Sequence, residues 1–343
     1  MLRRRGTFPI LVLLLVGAVL LAVGVGTVAI PPGTTLRLVA WKAGLSGPPA
    51  GVPPSTAVIL FDLRIPRVVL AVVVGGALAA SGAVFQALFR NPMADPAIIG
   101  ISSGAALGAI AVILVAGGTL AAGLAVPGAA FVGALAVGFL VYRLSRIGPT
   151  VQVATLLLAG IAVAAVISAV ISVVMTFSDE QVRSIYFWLL GGLSARGWES
   201  VAVSSPLVLL GLAAAVATAR DLNLLALGEE RAAQLGMEVE RFKRLALATG
   251  ALLTAAAVSV AGVIGFVGLM TPHLLRLVLG ADHRRLLPAA VVGGATLMVL
   301  ADLAARTLVA PQEIPVGAVT ALLGGPFFLY LLRRERRAAG ARA

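Results

Sequence analysis

Cysteine is absent from the 343 residues, so disulfides, thiolate metal sites and thiol nucleophiles are all excluded. Charge is scarce too: Asp, Glu, Lys and Arg make up 12 %, against roughly a quarter of a soluble protein. Aromatic residues stand at 5 %, too few for the girdles of a membrane β-barrel. Only two lysines occur, Lys42 and Lys243, and neither follows a glycine. A G-x-x-x-x-G-K-[ST] loop is therefore missing, and with it that route to binding ATP. The two histidines, His273 and His283, belong to no H-E-x-x-H and to no carboxylate cluster. No protein-built metal site is expected from them; they read as a helix-packing residue and a loop cation.

What remains is apolar. Hydrophobic residues make up 60 % of the chain, and the mean hydropathy is +1.07. Apolar runs cover residues 8–30, 66–89, 97–116, 120–142, 151–176, 201–219, 245–275, 288–309 and 316–332. Most are long enough to cross a hydrocarbon core of about 30 Å as a helix. The 39 glycines suit helices packed through small faces, so the class is an all-α membrane protein. The first run follows Met1-Leu2-Arg3-Arg4-Arg5 and is longer than the apolar core of a cleaved signal, about 7–15 residues. It is expected to stay as the first span, with the arginines in the cytoplasm.

The net charge of +12 is scattered in short clusters and makes no continuous patch, so it reads as a topology signal and not as a nucleic-acid surface. It also decides the number of spans. Residues 245–275 would make one helix of about 46 Å, and they contain Gly262, Gly265, Gly268 and Thr271-Pro272. The basic loop 220–244 and the tail Arg333-Arg334-Glu335-Arg336-Arg337 both belong inside, which requires an even number of crossings between them. The run is therefore expected to break among its glycines. Ten transmembrane helices result, with both termini cytoplasmic, in a single domain spanning 1–343. Two connections stand out, residues 31–65 outside, rich in Pro and Gly, and a cytoplasmic loop at 220–244; within residues 177–200, Ser184-Ile185-Tyr186-Phe187-Trp188 predicts a short helix at the outer interface.

Gly100-Ile101-Ser102-Ser103-Gly104 matches the G-x-S-x-G esterase pattern, but it opens a membrane helix and lacks the strand-to-helix elbow that the chemistry needs. Gly100, Gly104 and Gly108 read instead as a helix-packing stripe. Asp302 is the one ionisable group expected within the bilayer, four residues before Arg306 as in a helical ion pair. That scarcity argues against an ion-coupled secondary transporter.

Two features point to partners. Arg64-Ile65-Pro66-Arg67 lies at the outer start of the second span, against both the positive-inside bias and the helix dipole. Some anion must offset it, and a docking surface outside the membrane is the expectation; Arg306 faces the same side. Inside, residues 224–242 place Glu229 and Glu230 at the front of a short helix that Gly236 can end, letting a second short helix turn away. Its four glutamates would be repelled by anionic lipid, so a protein partner is expected.

Arg64-Ile-Pro-Arg67, Gly75-Gly76-Ala77-Leu78-Ala79-Ala80-Ser81-Gly82 with Gln86, and Asn91-Pro92-Met93-Ala94-Asp95-Pro96 follow one another in order. Leu227-Gly228-Glu229, Leu235-Gly236, Gly262-x-Ile264-Gly265-Phe266-Val267-Gly268-Leu269-x-x-Pro272-His273 and Ala301-Asp302 to Pro315-x-Gly317 complete the series. Together, from about residue 60 to 332, the chain resembles the permease family of type II ABC importers for iron chelates, haem and vitamin B12. The resemblance implies a ten-helix subunit that forms a homodimer, with two cytoplasmic ABC ATPase subunits below it and a periplasmic binding protein above, in the bacterial inner membrane. ATP and Mg would belong to the ATPase, and this chain would bind no cofactor. It further implies docking through Arg64, Arg67 and Arg306. Coupling would run through Gly228, Glu229, Glu230, Arg231, Gln234, Leu235, Gly236 and Met237, and a cytoplasmic gate would lie at Thr150, Val151 and Gln152. Ferric siderophore is the expected cargo, with haem and vitamin B12 as alternatives. An intramembrane hydrolase using Ser102 and a structural scaffold are the rival functions.

Overall fold

The structure, a computed structural model, describes residues 6–115, 123–148 and 150–340. The Arg3–Arg5 cluster, whose cytoplasmic placement the charge pattern predicts, lies outside the described residues, as does the stretch 116–122.

Fifteen α-helices occur among the described residues. α1 (Thr7–Gly24) is followed by two short helices, α2 (Pro32–Lys42) and α3 (Pro54–Val58). A π-turn at Ile59–Arg64 joins α3 to α4 (Ile65–Leu88) in one continuous helical segment. α5 (Ile101–Val115) and α6 (Ala125–Leu144) lead to a two-residue hairpin, β1 (Arg146–Ile147) and β2 (Thr150–Val151), in which Arg146 pairs with Val151. Then come α7 (Val153–Thr176), α8 (Val182–Leu189), α9 (Trp198–Ala217), α10 (Ala219–Ala226), α11 (Glu229–Gln234), α12 (Val239–Ala261), α13 (Val267–Leu279), α14 (His283–Thr307) and α15 (Val316–Gly340).

Each expected span corresponds to a helix. Among the described residues, seven segments are long and apolar enough to cross a membrane, and α5, α13 and the Val316–Leu331 part of α15 are shorter apolar helices. The break in the long run falls where the glycines predict it. α12 stops at Ala261, and Gly262 takes φ +69° so close to the Trp188 carbonyl that a side chain would collide with it. Residues 262–266 run without helix before α13 starts. Pro272, expected near the break, sits inside α13 instead.

α4 is the central pillar: in the most apolar 18-residue stretch of Pro54–Leu88 83 % of the residues are buried, against 17 % in that of the similarly apolar α7. Small residues explain the difference. Gly75 of α4 lies against the Gly294 carbonyl of α14, and Gly294 against that of Gly75, so the two backbones touch with no side chain between them. Ser81 donates to the Gly250 carbonyl at 2.9 Å and shares a 2.7 Å hydrogen bond with Thr254, which fixes α4 to α12. Gly104 and Gly108 press onto Gly133 and Ala129 of α6 in the same way, while Gly100 takes φ +80° in the turn that opens α5.

The hydrogen bonds also sort the two ends of the bundle. Asn223 of α10 donates to Asp282 at 2.8 Å and accepts from the His283 backbone N–H at 2.8 Å. That puts the α13–α14 turn beside loop 220–244, at the end that charge assigns to the cytoplasm. His283 is therefore not the free loop cation its neighbours suggested: it is 2 % exposed and lies 2.7 Å from Asn223 Oδ1. His273 packs edge-on against Phe327.

Candidate functional site

Polar side chains gather at the two ends of the bundle. At the outer end, Arg64 is 6 % exposed and donates to the carbonyls of Val23 and Gly24, each at 3.1 Å, and to that of Val28. These carbonyls end α1 or follow it, where a helix carries partial negative charge. Arg306 is 5 % exposed, donates to the Ala22 carbonyl, and holds its Nε 3.6 Å from Asp302. Arg67 lies between two carboxylates: its Nε bonds Asp302 at 2.9 and 3.1 Å, and its Nη1 bonds Glu313 at 2.9 and 3.0 Å. Glu313 also accepts from the Ser194 hydroxyl, in the loop after α8. Burial pushes the Glu313 carboxyl up, but the hydrogen bonds from Arg67 and Ser194 outweigh it and hold the group below the ordinary glutamate range.

Within the protein, Arg67 is met by the carboxylates of Asp302 and Glu313, whereas Arg64 is held by carbonyls. Arg64 and Arg306 are turned into the protein toward α1, whose last turn offers them carbonyls; of these, Gly24 also accepts the Ile30 backbone N–H at 3.0 Å. Asp302 takes Arg67 as its close partner, and Arg306, four residues on, is the more distant one. Above this network lies a cavity of about 610 Å³ lined by Asp62, Arg64, Arg67, Arg196, Arg306 and Glu313, four cations against two carboxylates. Ser194, Arg196 and Glu313 are shared with a second cavity of about 400 Å³ that reaches Trp188 and Gly262.

At the inner end, α10 and α11 are the two short helices. Glu229 and Glu230 stand in the first turn of α11, between Gly228 (φ +114°) and Gly236 (φ +87°). What turns away after Gly236 is the long α12 itself; the second short helix precedes Gly228. That corrects the expected order, and the cause is that α12 begins at Val239, well before its apolar run. Arg231, Gln234 and Leu235 are exposed, and Gly236 and Met237 close α11 by donating to the carbonyls of Ala233 and Ala232.

Behind α11 lies Lys243, 3 % exposed. Its ammonium meets Glu240 at 2.6 Å, Glu229 at 3.0 Å and the Val151 carbonyl at 2.8 Å. Three N–H donors thus find three acceptors. The Val151 N–H donates to Glu240 at 3.0 Å, so one residue of the β1–β2 hairpin is gripped at both backbone groups by side chains of α12. Val151 is 4 % exposed, while Thr150 and Gln152 on either side of it are exposed.

Residues 13–334 match the model of the FecCD transport family. The chain belongs to that family. It is 49 % identical over 289 residues to the cobalamin import system permease protein BtuC of Halobacterium salinarum, covering 84 % of this chain and 77 % of the relative. It is also 49 % identical over 282 residues to the hemin transport system permease protein HmuU of Yersinia pestis, covering 81 % and 84 %. To the Fe(3+) dicitrate transport system permease protein FecD of Escherichia coli it is 36 % identical over 324 residues, covering 94 % and 97 %. A solved structure described as an inward-facing metal-chelate type ABC transporter superposes with a TM-score of 0.82 at 33 % identity, covering 94 % of this chain and 97 % of that one. This permease is therefore a membrane subunit of an ABC importer, a transport subunit and not an enzyme, whose ATP is used by a partner ATPase. Membership of the family brings both an ATPase and a binding protein as partners.

Sequence reasoning missed three members of these networks. Lys243 served only to exclude a phosphate loop, although Glu240 three residues earlier was a local hint of pairing. Glu313 and Ser194 lie in loops, and nothing in the chain near either points to Arg67.

Proposed function

We propose that two copies of this permease form the channel of a bacterial inner-membrane importer that carries an already chelated metal into the cytoplasm by alternating access. The observation that carries the proposal is α11, an acid-fronted helix flanked by glycines of positive φ at the end opposite the arginine-lined cavity. A surface of that kind at each end of one bundle fits a protein partner on each side of the membrane. The poorly buried, apolar α7 fits the wall between the second copy and the central path.

In this scheme a binding protein docks over the outer cavity through carboxylates. Arg67 is the arginine that meets them, exchanging Glu313, which is 34 % exposed, for a carboxylate of the partner. Arg64 and Arg306 hold the rim in position through α1. The ATPase receives α11, with Gly228 to Met237 as the contact segment. Thr150 and Gln152 line the cytoplasmic constriction, and Val151 anchors it. This chain provides the path and the ATPase the energy.

For the cargo we place a metal macrocycle, haem or cobalamin, ahead of the ferric siderophore expected from the family resemblance. The relatives named for cobalamin and hemin are each 49 % identical, against 36 % for the one named for ferric dicitrate. Reconstitution with the cognate ATPase and binding protein in proteoliposomes tests the whole scheme. ATP-dependent uptake of one of haem, cobalamin or a ferric siderophore is the expected result. Uptake that follows a proton gradient without ATP would refute it.

A further inference from the structure

The inner network joins the β1–β2 hairpin at the foot of α7 to two consecutive elements much later in the chain, the short helix α11 and the first turn of α12; Lys243 lies 92 residues from Val151 and 14 from Glu229. Among the described residues Lys243, itself on α12, contacts both the hairpin and α11. Its position follows from elementary constraints. A buried ammonium must have its three N–H groups satisfied, and here every acceptor comes from a different piece of backbone or side chain. Val151 O is held at 2.8 Å, Glu240 at 2.6 Å and Glu229 at 3.0 Å. Glu240 in turn accepts the Val151 N–H at 3.0 Å, which closes a ring of hydrogen bonds around that single residue.

The ring is graded by exposure. Lys243 is 3 % exposed and Val151 4 %, whereas the side chains of Glu240 and Glu229 are 32 % and 43 % exposed. Glu229 is therefore the contact that a partner bearing on α11 reaches first. It is also the only member of the ring that α11 contributes. Gly228 and Gly236 free the two ends of α11 to pivot, since both already occupy the positive-φ half of φ/ψ space that other residues avoid.

We infer that Lys243 is a positioning residue for transport: it passes a displacement of α11 to the β1–β2 hairpin, so that the constriction at Thr150 and Gln152 moves when the ATPase moves Glu229. The inference rests on the importer function proposed above and adds to it the physical connection between the coupling segment and the gate. When α11 swings outward, Glu229 leaves the ammonium with one acceptor fewer. The deficit is met by water or by a shift of the Val151 carbonyl, and the hairpin is rigid enough to transmit that shift because both backbone groups of Val151 are clamped.

Thr150→Cys in this cysteine-free chain accepts a single spin label at the hairpin. In the complete importer, the expected spectrum changes between nucleotide-free and ATP-bound states. Glu229→Gln, at a half-exposed site that the fold tolerates, is expected to abolish that change and to lower chelate uptake per ATP hydrolysed about tenfold while ATP hydrolysis continues. Lys243→Gln is expected to act in the same direction, and the double variant to be no worse than Lys243→Gln alone. A wild-type nucleotide response with wild-type uptake per ATP in Glu229→Gln overturns the inference. So does a loss in which uptake and ATP hydrolysis fall together, or a double variant in which the two effects add. A complex that binds its ATPase but moves no chelate would instead count against the proposed importer function, and the label at Thr150→Cys would still report on the connection in it.

Discussion

The two ends of the bundle solve one problem with different chemistry. Outside, Arg67 bridges Asp302, 1 % exposed, and Glu313, 34 % exposed, through pairs of bonds from a planar fork. Inside, Lys243 gathers three acceptors that lie in three directions, a task for a tetrahedral ammonium and not for a flat guanidinium. Each cation is largely withdrawn from water, Lys243 at 3 % exposure and Arg67 at 12 %, and could not stay so unpaired. Each also has at least one carboxylate near the surface, supplied by a peripheral segment. What differs is depth. The outer network is anchored on a fully buried aspartate inside α14, while the inner one leans on two part-exposed glutamates and a backbone carbonyl. The outer network is thus the stiffer of the two and the inner one the more easily displaced.

Asp302→Ala should have the largest effect, because it leaves the buried Arg306 and the nearly buried Arg67 beside each other without their shared anion. A loss of about 3–5 kcal/mol is expected, seen as a large drop in thermal unfolding temperature in detergent. Lys243→Met should cost less, about 1–3 kcal/mol, since Glu229 and Glu240 can return to water. Equal losses in the two variants would break the distinction of depth. Exchanging the cation types sharpens the distinction of shape. Arg67→Lys should lose about 1–2 kcal/mol, because one ammonium cannot make paired bonds to two carboxylates. Full stability in Arg67→Lys would show that the fork geometry is unnecessary.

Smaller effects are expected at the rim. Glu313→Gln should change stability by less than about 1 kcal/mol, since this carboxylate is partly solvated. It should nevertheless loosen the loop after α8, read as greater mobility of a spin label at Gly192→Cys. The weakest effect is that of pH. The Glu313 pKa is held below its ordinary value, so its contribution is complete at neutral pH and is lost as pH falls past the ordinary glutamate range through the depressed value. The same label should gain mobility in that acidic window, and the gain should vanish in Glu313→Gln. Mobility that rises with pH instead would reverse the assigned sign.

The helices were legible because the hydrophobic runs and the glycine spacing are local properties. The break at Gly262 followed from run length and charge parity, and the stripe Gly104–Gly108 from its four-residue period. Polar partnerships were legible only where both members sit within one turn, as for Asp302 with Arg306. Even there the dominant partner, Arg67, came from another helix 235 residues away in the chain. Lys243 was invisible for the same reason, since Val151 lies 92 residues from it and offers only a backbone carbonyl, which no residue pattern can announce.

By itself, then, the sequence determined that this protein is a bundle of membrane helices with basic loops inside, no phosphate loop, and unusual arginines outside. Those features follow from transfer free energy and from which side chains are present, and both can be read one residue at a time. Only the tertiary structure decided what the charges do: that Arg64 closes α1, that Arg67 is shared by Asp302 and Glu313, and that Lys243 ties the hairpin to α11. A buried charge takes whichever acceptor the packed backbone brings within about 3 Å, and that choice exists only once distant helices have met.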